Sequence, residues 1–503
     1  MRAKALKMNA AANLLSEVVV LITGLILPRL IITNYGSDYN GLTGSITQFL
    51  SFSVVLRAGV GAVTRAALFK PLADGDKNAV NAIMSATAAY MKKIAYILAG
   101  LILGFACVYP FIVVGQYPWF YSFAMVLIMG VSTIGENYFG IKNIILLQAD
   151  QKYYVQTLFS IISQIISCTL SVILMNLRLD MLIVKACGAV AFFVRPLMLE
   201  IYVRRNYRID YSVKPDNLAL KQRWDAFAQQ IAVILNGNIS VVLITIFTVL
   251  KNVSVYTVHN MVASNIAKVC QAPIVGLGSA FGNMIAKNES ENLKKAFSFM
   301  EWAVFALTAF MFSVTAVMLT PFVDIYTSSV TDVNYHRPIF GFLIVIVNAL
   351  SCLRLPYQYM VEAAGRFKQT RNGAILEVII NLLVSVTMLL GFGVIGVVIG
   401  ALVAGLIRNL QYSWYSTKYI LNISPLHAVK NYVVYFMAMF IAIYICSLLP
   451  LIHANDYLAW ASNAFIVAMI SFVIVSLISM IFNRKDIGYL YKRIKNAIQK
   501  NHN

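Results

Sequence analysis

The sequence predicts an all-α, polytopic membrane protein of about fourteen transmembrane helices, arranged as two pseudo-symmetric six-helix lobes followed by two C-terminal helices. Three observations predict it: an apolar excess, positive charge confined to alternate loops, and an internal repeat. Of 503 residues, 60% are hydrophobic and 12% charged, whereas a soluble domain carries about 25% charged residues. A water-soluble globule could not hide so much apolar side chain, so lipid must be the main solvent.

Each bilayer crossing needs about twenty apolar residues. Windows of that length place helices near 10–33, 42–62, 94–114, 119–146, 154–176, 181–203, 227–250, 254–285, 297–320, 338–361, 373–391, 394–415, 431–452 and 457–482. Turn residues or charges separate them, as at Tyr35-Gly36-Ser37-Asp38, Gln116-Tyr117-Pro118, Asn176-Leu177-Arg178 and Pro450. The first segment continues past Pro28-Arg29 with no small-residue cleavage site, so it reads as a transmembrane helix rather than a removable signal.

Net charge is +20, from 40 Lys+Arg against 20 Asp+Glu. A basic balance of this size also suits a nucleic-acid binder, but its placement argues otherwise. Alternate connections and both termini collect 29 basic residues, and the other side holds three, Arg178, Lys251 and Arg337. That asymmetry is the positive-inside signal, so both termini are expected in the cytoplasm and no nucleic acid is expected as a partner.

The repeat appears on shifting the chain by about 214 residues. Gln148-Ala149-Asp150-Gln151-Lys152-Tyr153 then meets Glu362-Ala363-Ala364-Gly365-Arg366-Phe367, and Val194-Arg195 falls close to Ile407-Arg408. Arg57-Ala58-Gly59-Val60-Gly61 falls on Gln271-Ala272-Pro273-Ile274-Val275, each followed by a basic loop. The resulting division is 1–210 for the N-terminal lobe, 211–425 for the C-terminal lobe, 426–482 for helices thirteen and fourteen, and 483–503 for a basic cytoplasmic tail. Parallel six-helix repeats are a transporter architecture with the path between the halves.

Ionisable residues inside apolar segments are the candidates for function, because each central cation costs roughly 2.5–3.5 kcal/mol to insert. They are Glu17 and Arg29 in helix one, Arg57 in helix two, Glu136 and Lys142 in helix four, and Lys185, Arg195 and Glu200 in helix six. The second half adds Lys268, Arg354, Glu362, Glu377 and Arg408. Lys142, Arg195, Glu200, Glu362 and Arg408 stand close enough to a helix end to snorkel, and Glu136 with Lys142 reads as a structural pair. Arg57 and Lys268 lie deeper and are either salt-bridged or part of a cationic cavity with Arg29 and Arg354. Such a cavity would attract an anion, and guanidinium groups suit phosphate. Pro28, Pro273 and Pro356 are expected to interrupt helices one, eight and ten.

Other chemistry is excluded. The six cysteines are scattered singly, so neither a disulfide framework nor a metal site is indicated, and the five histidines form no HExxH. No GxxxxGK[ST] loop occurs, and no cofactor is expected. Gly391-Phe392-Gly393-Val394-Ile395-Gly396 matches GxGxxG but lies between two apolar helices, so the Gly396/Gly400 spacing predicts close helix packing instead. External loops are short and offer only Asp324 and Asp332 in the longest, which argues against an enzyme such as a membrane-embedded polysaccharide polymerase or ligase.

Asn13 and the run into Gly24, Pro28 and Arg29, then Tyr35-Gly36 and Tyr39-Asn40-Gly41-Leu42, resemble the opening of Wzx-type polysaccharide flippases. Arg57-Ala58-Gly59-Val60-Gly61 with Arg65 is similar to their second-helix signature, and the Gln148–Gln151 turn fits as well. The resemblance runs through all fourteen helices, within the multidrug/oligosaccharidyl-lipid/polysaccharide exporter superfamily, and so implies a MATE/lipid II flippase-like fold. It implies a flippase of undecaprenyl-pyrophosphate-linked oligosaccharide repeat units for O-antigen, capsule or exopolysaccharide, in the bacterial cytoplasmic (inner) membrane. Membrane lipids would hold the polyprenyl tail, and polymerase and chain-length proteins would be associates. Arg29, Arg57 and Lys268 occupy places similar to essential basic residues of lipid II flippases, although lysine stands in helix eight with Asn265 and Gln271 nearby, which argues against a lipid II flippase proper. An H+ or Na+ gradient would drive the cycle, with Glu17, Glu136 and Glu377 as candidate carriers. A cation-coupled multidrug exporter is the alternative within the superfamily; its usual cationic substrates call for an acidic cavity, and the excess of Arg and Lys counts against it.

Overall fold

The computed structural model describes residues 2–56, 60–213, 237–271, 277–449, 456–484 and 486–488. Helix makes up 88% of it, and no strand occurs among the described residues. Among the described residues, eleven helices are long and apolar enough to cross a membrane. They correspond to predicted helices one, three to six and nine to fourteen, so the protein is a multi-pass membrane protein. The three others, predicted helices two, seven and eight, each include residues outside the described ones.

Contacts group the chain into two compact units, Met1–Val255 and Tyr256–Asn503. In the first, α1 (Arg2–Tyr35) is followed by α2 (Ser37–Ser51), α3 (Ser53–Leu56), α4 (Val60–Asp74) and α5 (Lys77–Ile112). Helix four of the prediction is α6 (Trp119–Gly135), a π turn over Glu136–Gly140 and α7 (Ile141–Ala149). Then come α8 (Tyr153–Asn176), α9 (Met181–Phe192), α10 (Val194–Tyr207) and α11 (Gly237–Phe247). The core at one end joins Leu68 of α4, Met84 of α5, Ile144–Leu147 of α7, Val155 of α8 and Leu199 of α10.

The second unit holds most of α12 (Leu250–Gln271), then α13 (Leu277–Ala286), α14 (Ser290–Tyr326), α15 (Pro338–Leu353), α16 (Leu355–Ala363), α17 (Phe367–Phe392), α18 (Val394–Ser416), α19 (Pro425–Ser447) and α20 (Tyr457–Phe482). The two C-terminal helices pack on α14: Met318, Cys446 and Val467 form one buried cluster, and Trp460 Nε1 donates to the Met318 carbonyl at 3.0 Å.

Local chemistry sets the ends. Asp76 caps α5 by accepting from the Ala79 amide at 3.0 Å, so this helix starts well before the predicted apolar window at 94. Asp180 and Asp456 cap α9 and α20 in the same way, through the amides of Leu182 and Ala459. Pro28 does not interrupt α1, contrary to expectation. Pro356 follows the expected break, which falls at Arg354, while Pro273 lies outside the described residues. A further break at Phe193 precedes Pro196, whose ring would meet the carbonyl of Phe192 in a continuous helix.

The repeat is written into the backbone. Gly75 and Asn288, Gln151 and Gly365, Arg178 and Gly393, and Arg208 and Asn422 all adopt φ between +48 and +73 at the ends of helices. Each pair is separated by about 214 residues, the shift that aligns the two halves of the sequence. Gly396 and Gly400 sit where α17 and α18 touch: a Cβ would lie 2.2 Å from the Met388 carbonyl carbon and 2.6 Å from the Ser385 nitrogen, respectively.

Candidate functional site

Each unit binds its own membrane-embedded carboxylates. In the first, Glu136 opens the π turn and meets Arg195 Nη1 at 3.7 Å. Glu200 holds Lys142 at 3.2 Å and Arg204 at 2.8 Å, and Asn143 donates to it at 2.8 Å. The expected Glu136–Lys142 pair does not form. The π turn over Glu136–Gly140 breaks the α-helical register between them, and each meets a partner on α10 instead, Arg195 and Glu200. Arg195, Lys142 and Glu200 are therefore paired with one another's helices rather than left to snorkel.

In the second unit, Glu377 on α17 accepts from Arg354 Nη1 at 2.9 Å and faces Arg408 Nε at 3.4 Å. Arg408 donates further to the Thr370 carbonyl and the Tyr412 hydroxyl, at 2.9 and 2.8 Å, and to Gln411 Oε1; its guanidinium lies 4.0 Å over the Tyr412 ring. Arg408 is thus fully engaged. Arg354 is less so, because its Nε makes no hydrogen bond. The structure therefore joins one expected anion-binding residue, Arg354, to one expected ion carrier, Glu377.

The remaining expected site residues stand apart within their own units. Arg29 is half-buried and Glu17 exposed on α1. Arg57 lies outside the described residues. Lys268 is exposed in the last turn of α12, donating to Asn265 Oδ1 at 3.2 Å. A cation in that turn also complements the helix dipole. Lys185 and Lys268 have no carboxylate partner among the described residues.

One buried acid has no place in the sequence reading. Glu301 of α14 accepts from the Tyr357 hydroxyl and meets His427 Nε2 at 3.0 Å. Asn431 Nδ2 lies 3.2 Å from the same ring nitrogen. His427 and Glu301 stand 126 residues apart, so no local spacing could announce them; the only signal was an acid at the edge of an apolar run.

These features define a class: a multi-pass α-helical membrane protein of two repeated six-helix halves with two further helices, in which most buried charge is internally paired. Solved structures share that fold. The lipid II flippase MurJ in its inward closed conformation matches with a TM-score of 0.67 at 14% identity, over 95% of this chain and 99% of that one. An inward-facing multidrug resistance MATE family transporter of the MOP superfamily matches at 0.61 and 14% identity, over 80% and 95%. A eukaryotic MATE transporter matches at 0.57 and 12% identity, over 86% and 98%. No family model and no curated protein sequence matches the chain.

Proposed function

We propose that the protein is a membrane transporter of the same superfamily as these structures, and that it flips undecaprenyl-pyrophosphate-linked oligosaccharide repeat units for surface polysaccharide synthesis by alternating access. The observation that carries this reading is the likeness to a lipid II flippase over 95% of this chain and 99% of the other. The pyrophosphate would be held by Arg29, Arg57, Lys268 and Arg354. Lys268, exposed and without a carboxylate partner among the described residues, and Arg354, whose side chain keeps 24% exposure, suit that role.

Multidrug export is the second reading, favoured by the likeness to a MATE transporter. The bound carboxylates count against it: Glu136, Glu200, Glu301 and Glu377 each face a basic side chain of their own chain, which leaves them poorly placed to receive a cationic drug. The test is flipping in proteoliposomes, read as the accessibility of a labelled polyprenyl-pyrophosphate oligosaccharide to an added glycosidase. Lys268→Ala and Arg57→Ala are expected to abolish flipping with normal insertion, and Lys495→Ala to retain it. Wild-type rates in both of the first two variants would overturn the cationic-cavity reading.

A further inference from the structure

Among the described membrane carboxylates that form ion pairs, three use partners whose charge is permanent near neutral pH: Arg195 for Glu136, Lys142 and Arg204 for Glu200, and Arg354 and Arg408 for Glu377. Such pairs hold a fixed charge state. Glu301 is different, because its partner is an imidazole, the side chain whose charge changes under physiological conditions. A carboxylate with 1% exposure cannot remain ionised at low cost without a compensating cation or donors. Its charge state is therefore tied to that of His427.

We propose that Glu301 and His427 form a proton-binding site in the second unit. This goes beyond the substrate reading and stands whichever molecule the protein carries. The proton enters at the imidazole, whose side chain is 39% exposed, while the carboxylate behind it is sealed. It is held on the line between His427 Nε2 and Glu301 Oε2, 3.0 Å apart, and the Tyr357 hydroxyl donates to the other carboxylate oxygen. No bond other than N–H or O–H is made or broken: the proton comes from water and returns to it.

The groups around the pair come from three elements. Tyr357 belongs to α16; Lys430, Tyr432 and Tyr435 to α19; and Asp486 lies beyond α20. Lys430 and Asp486 act on the imidazole with opposite sign, so neither fixes its charge alone. The site also has a mechanical neighbour. The Tyr357 and Tyr432 rings stack at 5.8 Å, and the Tyr432 hydroxyl faces Asn409 Oδ1 at 2.9 Å and the Leu353 carbonyl at 3.3 Å. Leu353 is the last residue before the helix break at Arg354. A change of charge at Glu301 is thus two aromatic rings away from the helix break at Arg354, an expected substrate ligand.

The test is pH-difference infrared spectroscopy on the full chain in lipid nanodiscs, stepped from about pH 5 to about pH 9. Against the background of the other carboxyls and the four other histidines, wild type is expected to show one component in which a carboxyl band and an imidazole ring band change together. In wild-type-minus-variant spectra, Glu301→Gln is expected to isolate the carboxyl part of that component, and His427→Gln the ring part, with the same midpoint. Tyr357→Phe keeps the acid and the base but removes a donor, so it is expected to shift the frequency of the carboxyl band, which a purely packing role would leave in place. A spectrum unchanged by Glu301→Gln overturns the proposal, as does one unchanged by His427→Gln. Where either variant fails to fold, Tyr357→Phe decides, because it leaves both ionisable groups in place: a carboxyl band that it does not shift overturns the proposal too.

Discussion

The Glu377 triad gives a prediction whose size can be worked from contacts. Glu377, with 12% side-chain exposure, stands between Arg354 at 24% and Arg408 at 5%. Glu377→Gln keeps the shape and removes the charge, leaving two guanidinium groups to share a neutral amide. Removing one partner of a buried ion pair costs about 3–5 kcal/mol. Arg408 retains the Thr370 carbonyl, Gln411 and Tyr412, so the low end, about 3 kcal/mol, applies. Arg354→Gln leaves the Glu377–Arg408 contact in place and removes the more exposed cation, for about 1 kcal/mol or less. At about 1 °C per kcal/mol for a chain of 503 residues, Glu377→Gln should lower the apparent unfolding midpoint by about 3 °C and Arg354→Gln by no more than about 1 °C. Heating followed by size-exclusion chromatography of the detergent-solubilised protein reads both. If Arg354 also holds pyrophosphate, Arg354→Gln should lose flipping out of proportion to its small loss of stability. A stable Glu377→Gln, or an Arg354→Gln that loses as much stability, would refute the account of the triad.

Helix packing and backbone strain supply further tests by the same thermal assay. Gly396→Val and Gly400→Val push side chains into the backbone of α17 and should each cost about 3 kcal/mol, at the upper end of overpacking. Gly391→Ala, with nothing within 4 Å of an added Cβ, should stay within about 0.5 kcal/mol. Arg208 closes α10 at φ 48 and ψ 49, so Arg208→Gly should stabilise the protein by up to about 1 kcal/mol. Gly365→Ala at φ +64 should destabilise it by about the same amount.

What the sequence made legible follows from what lipid demands. The apolar run of α20 begins and ends at 457 and 482, where the window places it, because Asp456 and Asn483 bound it on both sides. The window fails for α5, whose first turns carry Lys77, Asn78 and Asn81 and extend beyond bilayer depth. Helix breaks were half legible. Pro356 marks one, yet Pro196 marks another that apolar spacing hides, and Pro28 is accommodated inside an unbroken helix. Pairing was the least legible feature. Which residues are ionisable can be read from one dimension, but Glu136–Arg195 spans two helices and Glu301–His427 spans most of a unit, so their partners come only from packing.

The paired charges also separate what the repeat preserved from what it did not. Arg195 and Arg408 fall at nearly equivalent positions of the two halves, and both face a carboxylate. The acids are not equivalent: Glu136 comes from predicted helix four and Glu377 from predicted helix eleven. An arginine held by a carboxylate is therefore common to the halves, satisfied by whichever neighbouring helix supplied an acid, which is how a structural requirement behaves. Shifting Glu301 by about 214 residues reaches Thr87, and shifting Lys268 reaches Val54, so neither charge has a counterpart. Each costs free energy to place in a membrane helix, and no repeat-wide structural need accounts for it. These unrepeated charges are the ones proposed above for function: a cation on α12 proposed for an anionic headgroup, and an acid–base pair on α14 and α19 proposed for a proton. On this argument Arg195→Gln and Arg408→Gln should both act through stability alone, lowering protein yield and unfolding midpoint together. Lys268→Ala should leave both unchanged and stop flipping. Flipping lost in Arg195→Gln at normal yield and midpoint would break the distinction.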